Sequence, residues 1–382
     1  MKKIYLLLAV FCFSMVLQAQ KDTAYVFTTV KENKITPVKN QNRTGTCWSF
    51  SGIGFVESEL LRMGKGEFDI SEMFVVSHCY TDKAVKYVRM HGNTNYSQGG
   101  SFHDVLHVIK NYGMVPEEVM PGLNYGQDMH VHGELESSCI AFAKNIITNP
   151  NRELSTAWLS ALNGIVDAYL GERPAKFTYK GKEYTPKSFA ASTGFNPDDY
   201  VSVTSYTHHP FGTQFALEIP DNWIWGLSNN VPIDDMMAMI DRSIMNGYTV
   251  AWGSDVSERS FSRDLATIPD VEAKENSGSD EDRWTGLSKR EKEDMVFKQK
   301  GPVVEKVITQ ELRQKEFDNY KTTDDHGMLI YGIAKDQTGK KFYMVKNSWG
   351  AEGKYKGMFY ASEAFVKLKT MNIVIHKDNF KK

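Results

Sequence analysis

The chain has 382 residues, 41% of them hydrophobic and 24% charged, with a formal net charge of −2 at pH 7. This is the composition of a globular protein with a large core, and the length allows two or three domains. The balance of charge excludes the strongly basic profile of a protein that binds nucleic acid or an anionic membrane.

Lys2 and Lys3 open the chain, Ile4–Leu17 is almost wholly apolar, and the sequence LQAQ follows. This order predicts a secretory signal peptide over residues 1–19, with Ala19 the last residue before cleavage. The apolar run falls short of the roughly 20 residues that a membrane span needs. The mature chain is therefore expected to be exported, periplasmic or extracellular, and free of the membrane once the signal is removed. It keeps Cys47, Cys79 and Cys139, an odd count that leaves at least one thiol free in an oxidising compartment. Cys79 and Cys139 either form a disulfide or stay as two buried thiols that act as small hydrophobes.

The loop composition of NQNRTG gives way to Trp48, Phe50, Ile53, Val56, Leu60 and Leu61 at mixed three- and four-residue steps. This pattern predicts a helix that begins near Cys47 and stops near Gly64. Cys47 is then either a half-buried structural thiol or a nucleophile. At a helix start the unpaired N–H groups and the helix dipole favour a thiolate. A thiolate that attacks a carbonyl creates an oxyanion, which needs donors already in place. The Cys47 backbone N–H is one. The amide of Gln41, turned back by NRTGT, is the second, unless Gln41 is only a polar loop residue.

Further along, HDVLH sets His103 and His107 one helical turn apart, as in a zinc helix. Asp104 stands where that motif has glutamate, and no third ligand follows at a fixed spacing, His130 and His132 being in a loop. Residues 121–245 carry helical patterns and aromatic loops. VPIDDMMAMIDRSIMNGYTVAWGS then predicts a helix and a strand. Residues 271–294 are dense in charge and read as a solvated loop or exposed helix.

His326 follows the polar turn TTDD and opens the apolar run MLIYGI, a predicted strand. Phe342, Met344 and Lys346 alternate with Tyr343, Val345 and Asn347, so the two segments read as a hairpin. It would bring Asn347 to His326, where the asparagine accepts the Nδ1–H and orients the ring, with Trp349 shielding the bond. Asp325 either supports an imidazolium or is a solvated turn carboxylate. AEGKYKGMFYAS reads as another hairpin.

QNRTGTCWSFS, DDHGMLIYGI and KNSWG, in that order, resemble the three signature segments of the papain-like cysteine peptidases. Gly99 and Gly100 in SQGGSFHDV match the paired glycines that lie along bound peptide in that family. The separation of Cys47 and His326 is about twice the roughly 130–150 residues found in papain. The long intervening segment and GGSFHDVLHVIKNYGMVPEEVMPG are similar to the bleomycin hydrolase and aminopeptidase C branch, and the likeness runs from about residue 30 to 378.

The resemblance implies an α+β, two-lobed papain-like fold with the cleft between its lobes. Residues 20–120 would carry the catalytic helix, 121–245 a mainly helical insertion, and 246–382 the β-rich lobe with His326 and Asn347. It implies a catalytic set of Cys47, His326, Asn347 and Gln41, with Gly99, Gly100 and Trp349 at the substrate. The cysteine and histidine would form an ion pair, and hydrolysis would pass through an acyl-enzyme. It implies no cofactor and no metal, peptide substrates, aminopeptidase action and a hexameric ring.

Two departures are expected to matter. The stretch between the signal and Gln41 is too short for an inhibitory propeptide of the usual kind. The sequence stops near MNIVIHKDNFKK, where the C-terminal arm that restricts this branch to free N-termini would begin. An open-cleft endopeptidase is therefore the alternative. Other readings are a non-catalytic peptide-binding relative, a zinc peptidase, or an acyl transferase in which an amine replaces water.

Overall fold

The computed structural model describes residues 24–150, 153–271, 288–298 and 301–381. The expected signal peptide lies outside the described residues, as does most of the charged 271–294 segment. Helix α1 (Cys47–Arg62) is buried on every side from Trp48 to Leu60. Its apolar residues run around the whole cylinder, and such a helix belongs in the middle of a structure. Ser49, Ser51, Gly52 and Gly54 keep it thin enough for close neighbours. Met63 caps the helix and Gly64 turns the chain away with φ +70°.

Helix α2 (Glu72–Arg89) starts at Ser71, whose hydroxyl accepts the Phe74 N–H at 3.0 Å. Helix α3 (Phe102–Asn111) starts at Ser101, whose N–H donates to Asp104 Oδ2 at 2.8 Å. Both are side-chain caps of the usual polar kind. Helices α4 (Gly133–Ile147) and α5 (Ala157–Leu170) pack against α2 and each other. A short hairpin, β2 (Phe177–Tyr179) and β3 (Lys182–Tyr184), leads to α6 (Pro186–Thr193). Together these form a helical lobe with one continuous core.

The other lobe is built on a ten-stranded sheet. Its strands are β1 (Phe27–Glu32), β4 (Tyr200–Thr204), β5 (Gln214–Ala216), β6 (Leu227–Asn230), β7 (Val250–Ser254), β8 (Leu265–Ala266), β9 (His326–Asp336), β10 (Lys341–Lys346), β11 (Met358–Ser362) and β12 (Thr370–His376). Their order is β5-β6-β4-β12-β7-β9-β10-β11-β8, with β1 also on β9. Successive side chains of a strand face opposite ways. Accordingly Ala251, Leu329 and Val374 join the core of the helical lobe, and Trp252, Met328 and Ile373 join a second core on the other face. That second core is closed by α7 (Ile233–Met245) and α10 (Glu363–Lys369). Helices α8 (Lys289–Lys298) and α9 (Gln310–Asp318) lie on the connection into β9.

The residue 121–245 segment supplies α4 to α7 and also three strands of the main sheet. YVSVT, rich in β-branched residues, forms β4 and pairs antiparallel with β12. The predicted helix and strand after Val231 are α7 and β7. Among the described residues no helix is long and apolar enough to cross a membrane. The last described residues are fastened to α7, where Arg242 Nη1 donates to the carbonyls of Asn379 (2.9 Å) and Lys381 (3.0 Å).

A buried polar network ties α1 to the rest. Glu57, fully buried on α1, accepts from Thr36 Oγ1 (2.6 Å), the Ile70 N–H (2.9 Å) and Lys39 Nζ (3.2 Å). Lys39 also reaches Glu72 at 2.7 Å, and Lys346 donates to Thr36 Oγ1 at 3.0 Å. Removing one partner from such a network strands the others without compensation. Glu57→Ala is expected to cost about 3–5 kcal/mol of unfolding free energy in urea titration. A loss below about 1 kcal/mol would mean that the network contributes little to stability.

Candidate active site

Cys47 is the first residue of α1. Thr46 before it makes no side-chain cap, and the Thr44 and Thr46 hydroxyls bond each other instead at 2.7 Å. The helix start therefore faces the cleft with its amides open. The backbone N–H groups of Gly327 and Trp48 point at the sulfur. Gly327 is a position where only glycine fits. An added Cβ would lie 2.7 Å from Ser51 Oγ and 3.2 Å from Trp48 Cα, so β9 passes directly against the first turn of α1. That close approach sets His326 beside Cys47.

Three fixtures hold the imidazole. Asn347 Oδ1 lies 2.7 Å from His326 Nε2, and Trp349 stacks on the ring with centroids 4.8 Å apart. The turn before His326 is pinned by Lys369, a fully buried ammonium that donates to Lys321 O (2.7 Å) and Thr322 Oγ1 (3.0 Å). The asparagine contact falls where the hairpin was expected to place it. The nitrogen is Nε2 rather than the expected Nδ1. Asn347 lies one residue beyond the end of β10, and its bond to Nε2 leaves Nδ1 as the ring nitrogen not engaged by it.

Gln41 is buried and fixed by residue 348. Its N–H donates to Ser348 O (2.8 Å), its Oε1 accepts from Ser348 Oγ (2.5 Å), and its Nε2 donates to Thr44 O (2.8 Å). One amide hydrogen remains. Gln41, Cys47, His326 and Trp349 line one open cavity of about 560 Å³, together with Gly99. Gly100 lines the adjoining inner pocket with Cys47 and His326. All seven sequence-predicted site residues except Asn347, which stands behind the ring, therefore border the same cleft. Gln41→Ala is expected to lower turnover about a hundredfold with binding little changed. A fall of less than about threefold in kcat would remove Gln41 from the oxyanion donors.

The helix start was expected to lower the Cys47 pKa, and burial works against it. Burial pushes the Cys47 thiol up to about 12, against the Gly327 and Trp48 amides and with the carboxylates of Asp221 and Asp324 adding to it. Burial pushes His326 down to about 4, opposed by the Asn347 bond. Burial favours the neutral form of each group, so a thiolate here needs a proton acceptor beside it.

Asp325 does not touch the ring. Its carboxylate accepts from the Val256 N–H (3.3 Å) and the Thr323 hydroxyl (3.2 Å). His103 and His107 have separate partners, Leu227 O and Asp82 Oδ2, each at 3.2 Å. Cys79 and Cys139 are buried and free, so the two-thiol reading is the one the structure shows.

Sequence reasoning missed several contributors. Ser348 and Gly327 sit inside the quoted motifs, and only the folded register reveals their work. Gln98 accepts the Gly45 N–H (2.7 Å) through its side chain and the Trp48 indole N–H (2.9 Å) through its carbonyl, so it braces the loop before Cys47. Glu136 in turn holds Gln98 at 2.9 Å. Asp221, from the long insertion, reaches the cleft with no signal in the sequence.

A cysteine at an open helix start, with an asparagine-held histidine in the same cleft, fits a cysteine-type peptidase on a papain-like fold. The chain belongs to the Peptidase C1-like family, whose model matches residues 9–273 and 297–382. Aminopeptidase G of Lactobacillus delbrueckii subsp. lactis is 22% identical over 382 residues, covering 89% of this chain and 80% of that one. Bleomycin hydrolase of Gallus gallus is 24% identical over 292 residues, 64% of each chain. The crystal structure of PepW from Lactobacillus rhamnosis superposes with a TM-score of 0.68 at 21% identity, over 93% of this chain and 83% of that one.

Proposed function

We propose that the protein is a cysteine aminopeptidase of the bleomycin hydrolase type. In this reading Cys47, ionised by His326, attacks the carbonyl of the first peptide bond. Gln41 and the Cys47 N–H hold the oxyanion, and His326 passes its proton to the leaving amine. His326 then activates water to release the acyl group, while Asn347 and Trp349 keep the ring in place. Gly99 and Gly100 flank the substrate backbone.

The observation that carries aminopeptidase action is the loop around Asp221. Ile219 and Asp221 line the inner pocket with Cys47, and an added Cβ on Gly99 would collide with the Asp221 carboxylate. The strip where a longer peptide would continue past the glycines is thus occupied by this chain's own insertion. The names of the relatives support the same reading.

The test is a pair of fluorogenic peptides identical except for a blocked N-terminus. The free-amine peptide is expected to be cut at least about a hundredfold better in kcat/KM. Equal cleavage of both would make the protein an endopeptidase. We propose export as well, on the composition of residues 1–19. N-terminal sequencing of the natural protein is expected to begin near Gln20, and a retained Met1 would contradict it.

A further inference from the structure

We propose that Asp221 is the group that receives the free α-ammonium of the peptide substrate. This rests on the aminopeptidase reading and gives it a residue. The relevant positions are set by packing. Asp221 borders both cavities that contain Cys47 and His326. It is oriented by Asn95, whose Nδ2 donates to Asp221 Oδ1 at 3.0 Å, and it lies on Gly99, which has no side chain to displace it.

Burial raises the Asp221 carboxyl above the usual carboxylate range, with Lys83 nearby and the Asn95 bond opposing it. Among the described residues no cation stands within ion-pair distance of Asp221. The nearest, Lys83, is committed to the carbonyls of Ser97 (3.1 Å) and Gly99. A second carboxylate, Asp324, lines the inner pocket beside it and has no hydrogen-bond or ion-pair partner among the described residues. Asp221 and Asp325 raise the Asp324 carboxyl further above the usual carboxylate range than burial alone does. Negative charge shared by Asp221 and Asp324 raises the Cys47 thiol, and a second positive charge brought into the pocket would relieve it. A peptide with a free amino terminus brings that charge, at the end adjacent to the bond to be cut. An acetylated peptide brings none. The same contact therefore selects the chain end and relieves the repulsion that opposes Cys47 ionisation.

The experiment uses the mature protein with Asp221→Asn, the paired free and blocked peptides, and iodoacetamide as a small neutral probe of Cys47. The expected result is a fall of about ten- to a hundredfold in kcat/KM for the free-amine peptide, the scale of one charged hydrogen bond. Cleavage of the blocked peptide should hold steady or rise, and alkylation of Cys47 should hold steady or quicken. A residue with a merely structural role would lower all three. If alkylation is lost, Asp221→Ser is put through the same assays and decides the point. The proposal is overturned if the wild type prefers the free amine and the variant keeps that preference. Equal cleavage of both peptides by the wild type would instead remove the aminopeptidase reading beneath it.

Discussion

Replacing Cys47 by alanine is expected to end peptide hydrolysis, with kcat falling on the order of a millionfold, the scale on which losing a covalent nucleophile acts. The chemistry has no substitute. Among the described residues the other thiols, Cys79 and Cys139, are buried in the helical lobe, and neither lines the cleft. The fold should survive, because Cys47 is only partly buried and a helix start tolerates alanine well. Thermal unfolding should therefore stay within a few degrees of the wild type, roughly the shift that 1 kcal/mol produces in a chain of this size. Measurable turnover by a folded Cys47→Ala protein would end the cysteine mechanism.

Replacing His326 by alanine should do nearly as much damage, through two routes that can be measured apart. Turnover loses its general acid and base, a loss of about a hundredfold to ten-thousandfold or more. The thiol also loses its proton acceptor. Desolvation at the cleft floor pushes the thiol up, so without the imidazole it is expected to stay protonated at neutral pH. Alkylation by iodoacetamide at pH 7 is expected to drop at least about a hundredfold and to recover as the pH rises. In the wild type the thiolate exists over the range where the pair holds one proton between its two members. The rate therefore falls at low pH as the pair takes a second proton and changes again at high pH as it loses the first. An unchanged alkylation profile in His326→Ala would show that the helix start alone ionises Cys47.

Much of the site was legible because short-range patterns wrote it. The apolar steps after Cys47 belong to a helix buried on all sides, and such a helix leaves a dense periodic trace. The alternation through Val345 announced the hairpin that brings Asn347 to His326. What the sequence concealed depends on distant segments meeting. Glu57, Lys39 and Lys346 look like surface charges one at a time, yet Glu57 and Lys346 are buried and Lys39 half-buried because they share one network through Thr36. Asp221 lies in an aromatic loop of the insertion and acquires meaning only when folding sets it on Gly99. The insertion's strands were hidden for a similar reason: β4, β5 and β6 are three to five residues long and become strands by pairing at the edge of a sheet made elsewhere. The ring nitrogen that meets Asn347 follows from the direction of approach, which spacing along the chain does not encode. The thiol's opposition to ionisation comes from burial between two lobes and from carboxylates that are remote in sequence.

The most direct test is to label the protein with a thiol-directed epoxide inhibitor, map the adduct by peptide mass spectrometry, and follow activity on the free-amine peptide in parallel. The expected result is a single adduct on Cys47, formed in step with the loss of activity and absent in His326→Ala. An adduct on Cys79 or Cys139, or activity that persists after Cys47 is fully labelled, would contradict catalysis by the Cys47–His326 pair.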